Sequence, residues 1–309
     1  MTEENAGPIL VIKHGALGDF VLSIAPFQAI RAHHRDARIV LLTTRPYADL
    51  ARASGCFDEI WIDERPPLWR VGTILALAGR LRRAGFTRVY DLQTSGRSGR
   101  YFHLFGRRPP EWSGIARGAS HRHANPRRDR LHTVERQQEQ LAGAGIRVAA
   151  PPDLSFLAAD TTRFGLAADY VLLVPGGSTH RVAKRWPVTS FAALARRLLV
   201  ARHQPVVIGT AAEAALAATL CDLAPGTVDL TGATDFADIV ALARLAHAAV
   251  GNDTGPMHLI AAADCRALVL FSAASDPALC APRGASVVVV RRPDLAELGV
   301  DDVAALLEA

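Results

Sequence analysis

Short apolar runs alternate with longer amphipathic stretches along nearly the whole chain, and the alternation restarts after the Pro/Ala-rich segment Ala149-Ala150-Pro151-Pro152. In the first half, strand-like runs lie near 8–13, 38–43, 59–63 and 87–92, with helical stretches near 19–34, 46–54, 68–84 and 132–143. In the second half, strand-like runs lie near 169–175, 205–209, 226–230, 247–251, 266–271 and 286–291, separated by helical stretches near 187–202, 211–223, 234–246 and 255–264. Repetition of strand, helix and strand defines a parallel sheet covered on both faces. The expected fold class is therefore α/β, with two Rossmann-like, doubly wound domains in tandem, residues 1–158 and 159–309. Such sheets bind ligands outside the carboxyl ends of their strands, so chemistry is expected in the loops there, with a cleft between the domains as the natural site.

Composition narrows the classes. At 309 residues, 50% hydrophobic and 21% charged, the chain can fill two cores and is not of disordered type. The acidic start Met1-Thr2-Glu3-Glu4-Asn5 lacks the basic, apolar character of a leader, and no apolar run reaches membrane-span length. The expectation is a cytoplasmic protein, peripheral at the inner face of a membrane. Cys56, Cys221, Cys265 and Cys280 show no C-x-x-C spacing and read as core residues. His33-His34 and His121-x-His123 lack a third ligand at a convincing spacing, so neither metal nor cofactor is expected. The net charge of +5 is uneven: from Arg97 to Arg136 the arginines far outnumber Glu111, Asp129 and Glu135. A field of that sign favours an anionic partner. Few aromatics suited to base stacking accompany it (Tyr101, Phe102, Phe105, Trp112), so nucleic acid is not expected.

Three strand-to-helix turns carry the residues suited to chemistry. Gly251-Asn252-Asp253-Thr254-Gly255-Pro256-Met257-His258 follows a strand-like run and opens a helix. Pro256 suits the first helical turn, and Asp253 or Thr254 can cap the free amides; a helix start of this kind also offers N–H groups and a positive dipole end to an anion. Pro175-Gly176-Gly177-Ser178-Thr179-His180-Arg181-Val182-Ala183-Lys184-Arg185-Trp186-Pro187 combines Gly, Ser, Thr and Lys before another helix, the ingredients of a phosphate cradle without Walker A spacing. Glu213 lies just past the next strand, where nucleotide folds place an acid that accepts from ribose hydroxyls; a dipole partner for its own helix is the plainer reading. Near the N-terminus, Lys13-His14-Gly15-Ala16-Leu17-Gly18-Asp19 joins the first strand to the first helix, its two glycines permitting a tight turn. It is not a dinucleotide fingerprint, because G-x-x-G is incomplete and the acid lies inside the turn. Asp19 reads either as a helix cap or as a general base.

Taken in order, G-A-L-G-D, K-R-W-P after a Gly/Ser/Thr loop, Glu213, and G-N-D-T-G-P-M-H followed by Phe271 and Ser275-Asp276-Pro277 resemble the family 9 glycosyltransferases, the ADP-heptose:lipopolysaccharide heptosyltransferases. The resemblance runs over nearly the whole chain. It implies a GT-B arrangement of two Rossmann-like domains, the first binding acceptor and the second nucleotide sugar, and inverting, metal-independent transfer of heptose from ADP-heptose to a lipopolysaccharide core acceptor. By motif position Asp19 matches the general base, Ser178, Thr179 and Lys184 the diphosphate loop, Glu213 the ribose contact, and Asp253, Thr254, Gly255 and His258 the element holding donor sugar and phosphates. His180 stands where many members carry a second hydroxyl residue. Lys13, Gly18, Arg97, Arg100, Arg127 and Arg128 are the acceptor-side candidates, for an anionic lipid-linked saccharide. Two alternatives stay open: a glycosyltransferase of the same fold using another nucleotide sugar or acceptor, and a non-catalytic scaffold that binds sugar nucleotides.

Overall fold

The computed structural model describes residues 7–67, 69–177 and 182–308. The chain divides into two compact units, Met1–Phe156 and Leu157–Ala309.

The first unit contains strands β1 (Ile9–Ile12), β2 (Ile39–Thr43), β3 (Glu59–Ile62), β4 (Arg88–Asp91), β5 (Glu111–Gly114) and β6 (His121–Arg122). Its helices are α1 (Leu17–Val21), α2 (Ile24–His33), α3 (Ala48–Ala53), α4 (Val71–Arg83), α5 (Gly96–Leu104) and α6 (Thr133–Ala142). The second unit contains β7 (Tyr170–Val174), β8 (Gln204–Val207), β9 (Val228–Asp229), β10 (Ala248–Asn252), β11 (Ala267–Phe271) and β12 (Val287–Arg291). Its helices are α7 (Val188–Val200), α8 (Ala214–Leu223), α9 (Phe236–Leu245), α10 (Gly255–Ala262), α11 (Pro277–Cys280) and α12 (Val300–Glu308).

Both sheets are wholly parallel and six-stranded, ordered β3-β2-β1-β4-β5-β6 and β12-β11-β10-β7-β8-β9. Counted from the first strand of each unit, this is one and the same doubly wound order. The strand order reverses between β1 and β4 in the first sheet and between β7 and β10 in the second. The central strands ILVI, IVLLT, YVLLV and ALVLF are buried along their whole length, as sheets covered on both faces require. Beneath the first sheet, Trp61, Phe86, Tyr101, Phe102 and Trp112 fill one core; beneath the second, Trp186, Phe191, Leu194 and Leu198 fill another. Each fully buried aliphatic or Phe side chain contributes roughly 1.5–3 kcal/mol.

The expected helix over 19–34 is broken into α1 and α2. Pro26 has no N–H to offer the Leu22 carbonyl, and the Ser23 hydroxyl donates to the Asp19 carbonyl at 2.7 Å, so the chain turns at Leu22-Ser23. The sequence reading passes over α5, β5, β6, α11 and α12. Two glycines make GRSGRYFHL look like a loop, but a reciprocal capping box between Ser95 and Ser98 nucleates α5. Strand β5 (EWSG) has only Trp112 as an apolar signal and is held by its pairing with β4. Cys56 and Cys265 are buried as expected, while Cys221 and Cys280 are half-buried; none of the four forms a disulfide.

Candidate functional site

At the β1/β4 reversal, a polar cavity of about 170 Å³ is lined by Lys13, Asp19, Leu92, Gln93, Thr94, Arg128, Thr133, Arg136, Gln137 and Gln140. Its walls are the loops leaving β1 and β4, the first turn of α1, Arg128 ahead of α6 and one face of α6. The His14 amide donates to Gln93 Oε1 at 2.8 Å and Lys13 Nζ to the Leu92 carbonyl at 3.2 Å, which ties the two strand ends together. Gly15 makes the first turn possible: its φ is +117°, and a Cβ there would lie 2.2 Å from the Tyr47 ring. Gly18, by contrast, sits inside α1 and contributes no special backbone conformation. Asp19 lies in the first turn of α1, but the N-cap is Ala16 and no side chain caps this helix. The capping role considered for Asp19 is therefore absent, and its side chain lines the cavity.

Burial shapes the electrostatics. It pushes the Lys13 ammonium down to about 8, against the opposing pull of the Asp19 and Asp91 carboxylates. It pushes the Asp91 carboxyl up to about 6, although the Thr94 amide and Ser98 hydroxyl favour the charged form. Arg128 donates through Nη2 to Thr94 Oγ1 at 2.5 Å and through Nη1 to Asp129 Oδ1 at 3.1 Å. Its Nε and Gln137 Oε1 are buried without a hydrogen-bond partner among the described residues. The charge in the cavity comes from Lys13, Arg128 and Arg136 against Asp19, a balance that favours an anionic ligand.

The structure thus brings Lys13, Asp19 and Arg128 together but not the other acceptor candidates. Arg97 donates to the Pro66 carbonyl, and neither Arg97 nor the exposed Arg100 and Arg127 lines this cavity. The sequence reading missed Gln93, Thr94, Arg136, Gln137 and Gln140. A signal existed: Thr133, Gln137 and Gln140 recur at helical spacing on α6 and are buried beside Leu141, an unusual place for polar side chains.

At the β7/β10 reversal, the described parts of the glycine loop are 175–177 and 182–187, and Ser178, Thr179, His180 and Arg181 lie outside the described residues. Asn252, buried at the end of β10, donates from Nδ2 to the Pro175 carbonyl at 2.8 Å and accepts the Trp186 amide at 2.9 Å. One amide side chain therefore fixes both ends of this loop. Trp186 anchors it further, with its indole N–H donating to the Leu298 carbonyl at 3.0 Å inside the core. Glu213 accepts from the Gly177 amide and the Thr210 amide, each at 2.8 Å, and a Cβ on Gly176 would fall 1.7 Å from its Oε1. A carboxylate has about four acceptor positions, so these bonds leave capacity for hydroxyl donors.

Lys184 Nζ lies 2.5 Å from Asp253 Oδ2, and the same oxygen accepts from Ser275 Oγ at 2.6 Å. The sequence reading treats Lys184 and Asp253 as separate ligand contacts; the fold makes them a largely buried ion pair. It also corrects the expected cap of α10. Thr254 is the N-cap but its side chain makes no cap hydrogen bond, and Asp253 is engaged by Lys184 and Ser275. Gly255 and Pro256 open α10, and His258 is buried on that helix.

Two doubly wound sheets of one strand order, each with polar groups at its reversal point, define an enzyme scaffold of the GT-B type. The model of glycosyltransferase family 9 (heptosyltransferase) matches residues 74–301, and the chain belongs to that family. It is 33% identical over 120 residues to lipopolysaccharide heptosyltransferase 2 of Salmonella typhimurium, an alignment covering 37% of this chain and 34% of that protein. Among solved structures it is similar to E. coli ADP-heptose lps heptosyltransferase II (TM-score 0.75, 21% identity, covering 97% of this chain and 98% of that one). A glycosyltransferase family 9 protein from Veillonella parvula gives a TM-score of 0.81 at 15% identity, covering 99% and 97%. E. coli heptosyltransferase WaaC with ADP gives 0.76 at 18% identity, covering 97% and 99%. The chain is a glycosyltransferase of this family. Among the described residues no helix is long and apolar enough to cross a membrane.

Proposed function

We propose that the protein transfers heptose from ADP-heptose to an anionic, lipid-linked saccharide of the lipopolysaccharide core, with inversion and without a catalytic metal. The observation that carries this reading is the cavity at the β1/β4 reversal, where Asp19 shares a wall with Lys13, Arg128 and Arg136. An acceptor sugar bearing phosphate or carboxylate is held there by the cations, and its hydroxyl meets Asp19. Asp19 takes the hydroxyl proton as the oxygen bonds to the anomeric carbon of the donor. The bond from that carbon to the diphosphate breaks, and ADP leaves with the electron pair from the opposite face. Lys184 and the amides at the start of α10 meet the charge that grows on the leaving group, the part played by a divalent ion in other nucleotide-sugar enzymes. Glu213 receives the ribose hydroxyls.

The proposed division of labour assigns the acceptor to residues 1–158 and the donor to 159–309, a boundary two residues beyond the one between the compact units. Contact with an anionic membrane face fits the exposed Trp69, Val71 and Leu75 at and beside the start of α4, whose last turn carries Arg80, Arg82 and Arg83. The test is a panel of nucleotide sugars in thermal unfolding, followed by ADP release with a lipid A core acceptor. A ligand that binds the native state raises its apparent stability. ADP-heptose should protect most and release ADP only when acceptor is present. Protection by a different nucleotide sugar would transfer the reading to that donor, and binding without turnover would make the protein a scaffold.

A further inference from the structure

Asp169, His203 and His247 are the residues immediately before β7, β8 and β10, three adjacent strands of the second sheet. The register pairs Tyr170 with Gln204 and Val171 with Ala248, so Asp169 stands beside His203, and His247 stands on the other side of β7 one residue further along. Their backbones are pinned by the sheet and its approaches. The Gln204 amide donates to the Asp169 carbonyl at 3.0 Å, the His247 amide to the Tyr170 carbonyl at 2.9 Å, and the His203 amide to the Leu198 carbonyl at 2.8 Å.

From these fixed points the side chains converge. His203 Nδ1 lies 2.9 Å and His247 Nδ1 3.7 Å from the same oxygen, Asp169 Oδ1, and one ligand atom from each residue falls within 4.8 Å of the others. The imidazole rings are 4.5 Å apart at 37°. His203 Nδ1 is buried without an aligned hydrogen-bond partner among the described residues, so its lone pair or proton is unmet despite the nearby carboxylate. Ligand bonds of about 2.0–2.1 Å in a tetrahedral site put neighbouring donor atoms about 3.3 Å apart, a value that the two measured separations bracket.

We propose that Asp169, His203 and His247 form a binding site for a divalent transition-metal ion of zinc character. Two imidazoles and one carboxylate suit zinc and its first-row neighbours; calcium and magnesium prefer all-oxygen sites. Three protein ligands leave a further position for water. The neighbouring cations do not compete for the carboxylate: Arg197 pairs with Asp301, and Arg266 donates to the Leu306 carbonyl.

The site lies at the amino edge of the second sheet, the full length of β7 away from the loop at Pro175–Gly177, so the ion fastens three strand starts and takes no part in transfer. Metal that binds only the folded chain stabilises it. The test uses the full chain stripped with chelator and titrated with Zn²⁺ by calorimetry and thermal unfolding, with Co²⁺ as a spectroscopic probe. The expected result is one saturable ion per chain, a raised Tm, and visible Co²⁺ bands. His203→Gln and His247→Gln should each weaken Zn²⁺ binding at least about tenfold and abolish the bands, with sugar transfer unchanged. The His247 side chain is 45% exposed, so that variant keeps the fold. Binding that both substitutions leave intact, or no saturable binding at all, overturns the proposal. This readout is independent of glycosyl transfer and stands or falls apart from the proposed activity.

Discussion

In the proposed mechanism, Asp19 and Lys184 are the single residues on which the chemistry rests. Because Asp19 caps no helix, replacing it separates catalysis from folding cleanly. Asp19→Asn keeps the shape but cannot take a proton at neutral pH, so kcat should fall by about 10²–10⁴ while Tm and donor affinity hold. A near-normal kcat in steady-state assays would move the base elsewhere in the cavity. For Lys184, loss of a charge-assisted contact to the diphosphate should weaken ADP binding by roughly 1.5–3 kcal/mol in Lys184→Ala. The ion pair adds a second effect that the sequence hides. Without its lysine, the Asp253 carboxylate is left charged beside the place proposed for the diphosphate. Adding Asp253→Asn should therefore recover part of the lost ADP affinity in calorimetry, and an unchanged Kd in the single variant would remove Lys184 from the donor site. The roles of Asn252 and Gln137 were illegible in sequence for a simple reason. An amide side chain gains meaning from the atoms it bonds, and those belong to loops 77 and 114 residues away.

Elements sort the basic region that the sequence shows only as a block of arginines. Arg128 is drawn into the cavity by Thr94 in the loop after β4, whereas its neighbour Arg127 is exposed. Arg128→Ala should raise the acceptor KM several-fold and leave donor binding alone, and Arg127→Ala should change neither. Exposed charges act over only about 8 Å at physiological salt, so any contribution from Arg127 should vanish as salt rises, while that of the half-buried Arg128 persists. Equal effects of the two substitutions on acceptor KM would show that the segment acts through net charge and not through the cavity. Helix and strand identity was largely readable, because buried parallel strands are continuous apolar runs. The exceptions, α5 and β5, are elements whose stability comes from a capping box and from pairing with β4, neither of which leaves a hydrophobic period.

At the scale of the whole molecule, the same strand order appears twice, and each order reversal gathers polar groups from loops far apart in the chain. In the proposed mechanism the diphosphate is met by lysine and helix amides, which would make transfer independent of divalent ions. Chelator-treated protein should keep most of its transfer rate even where its Tm drops through loss of a bound ion at Asp169. Activity abolished by EDTA and restored by a divalent ion would overturn the metal-free mechanism. The sequence by itself determined the α/β class, the restart near residue 150 and the three turns at which chemistry is proposed, because hydrophobic period and Gly/Pro chemistry are local properties. Only the tertiary structure decided which turns meet: that β1 lies beside β4 and β7 beside β10, that Lys184 pairs with Asp253, that α6 supplies the cavity wall, and that Asp169, His203 and His247 converge. Strand order in a parallel sheet follows from how crossover helices pack on its two faces. That packing is a property of the assembled layers and of no single stretch of sequence.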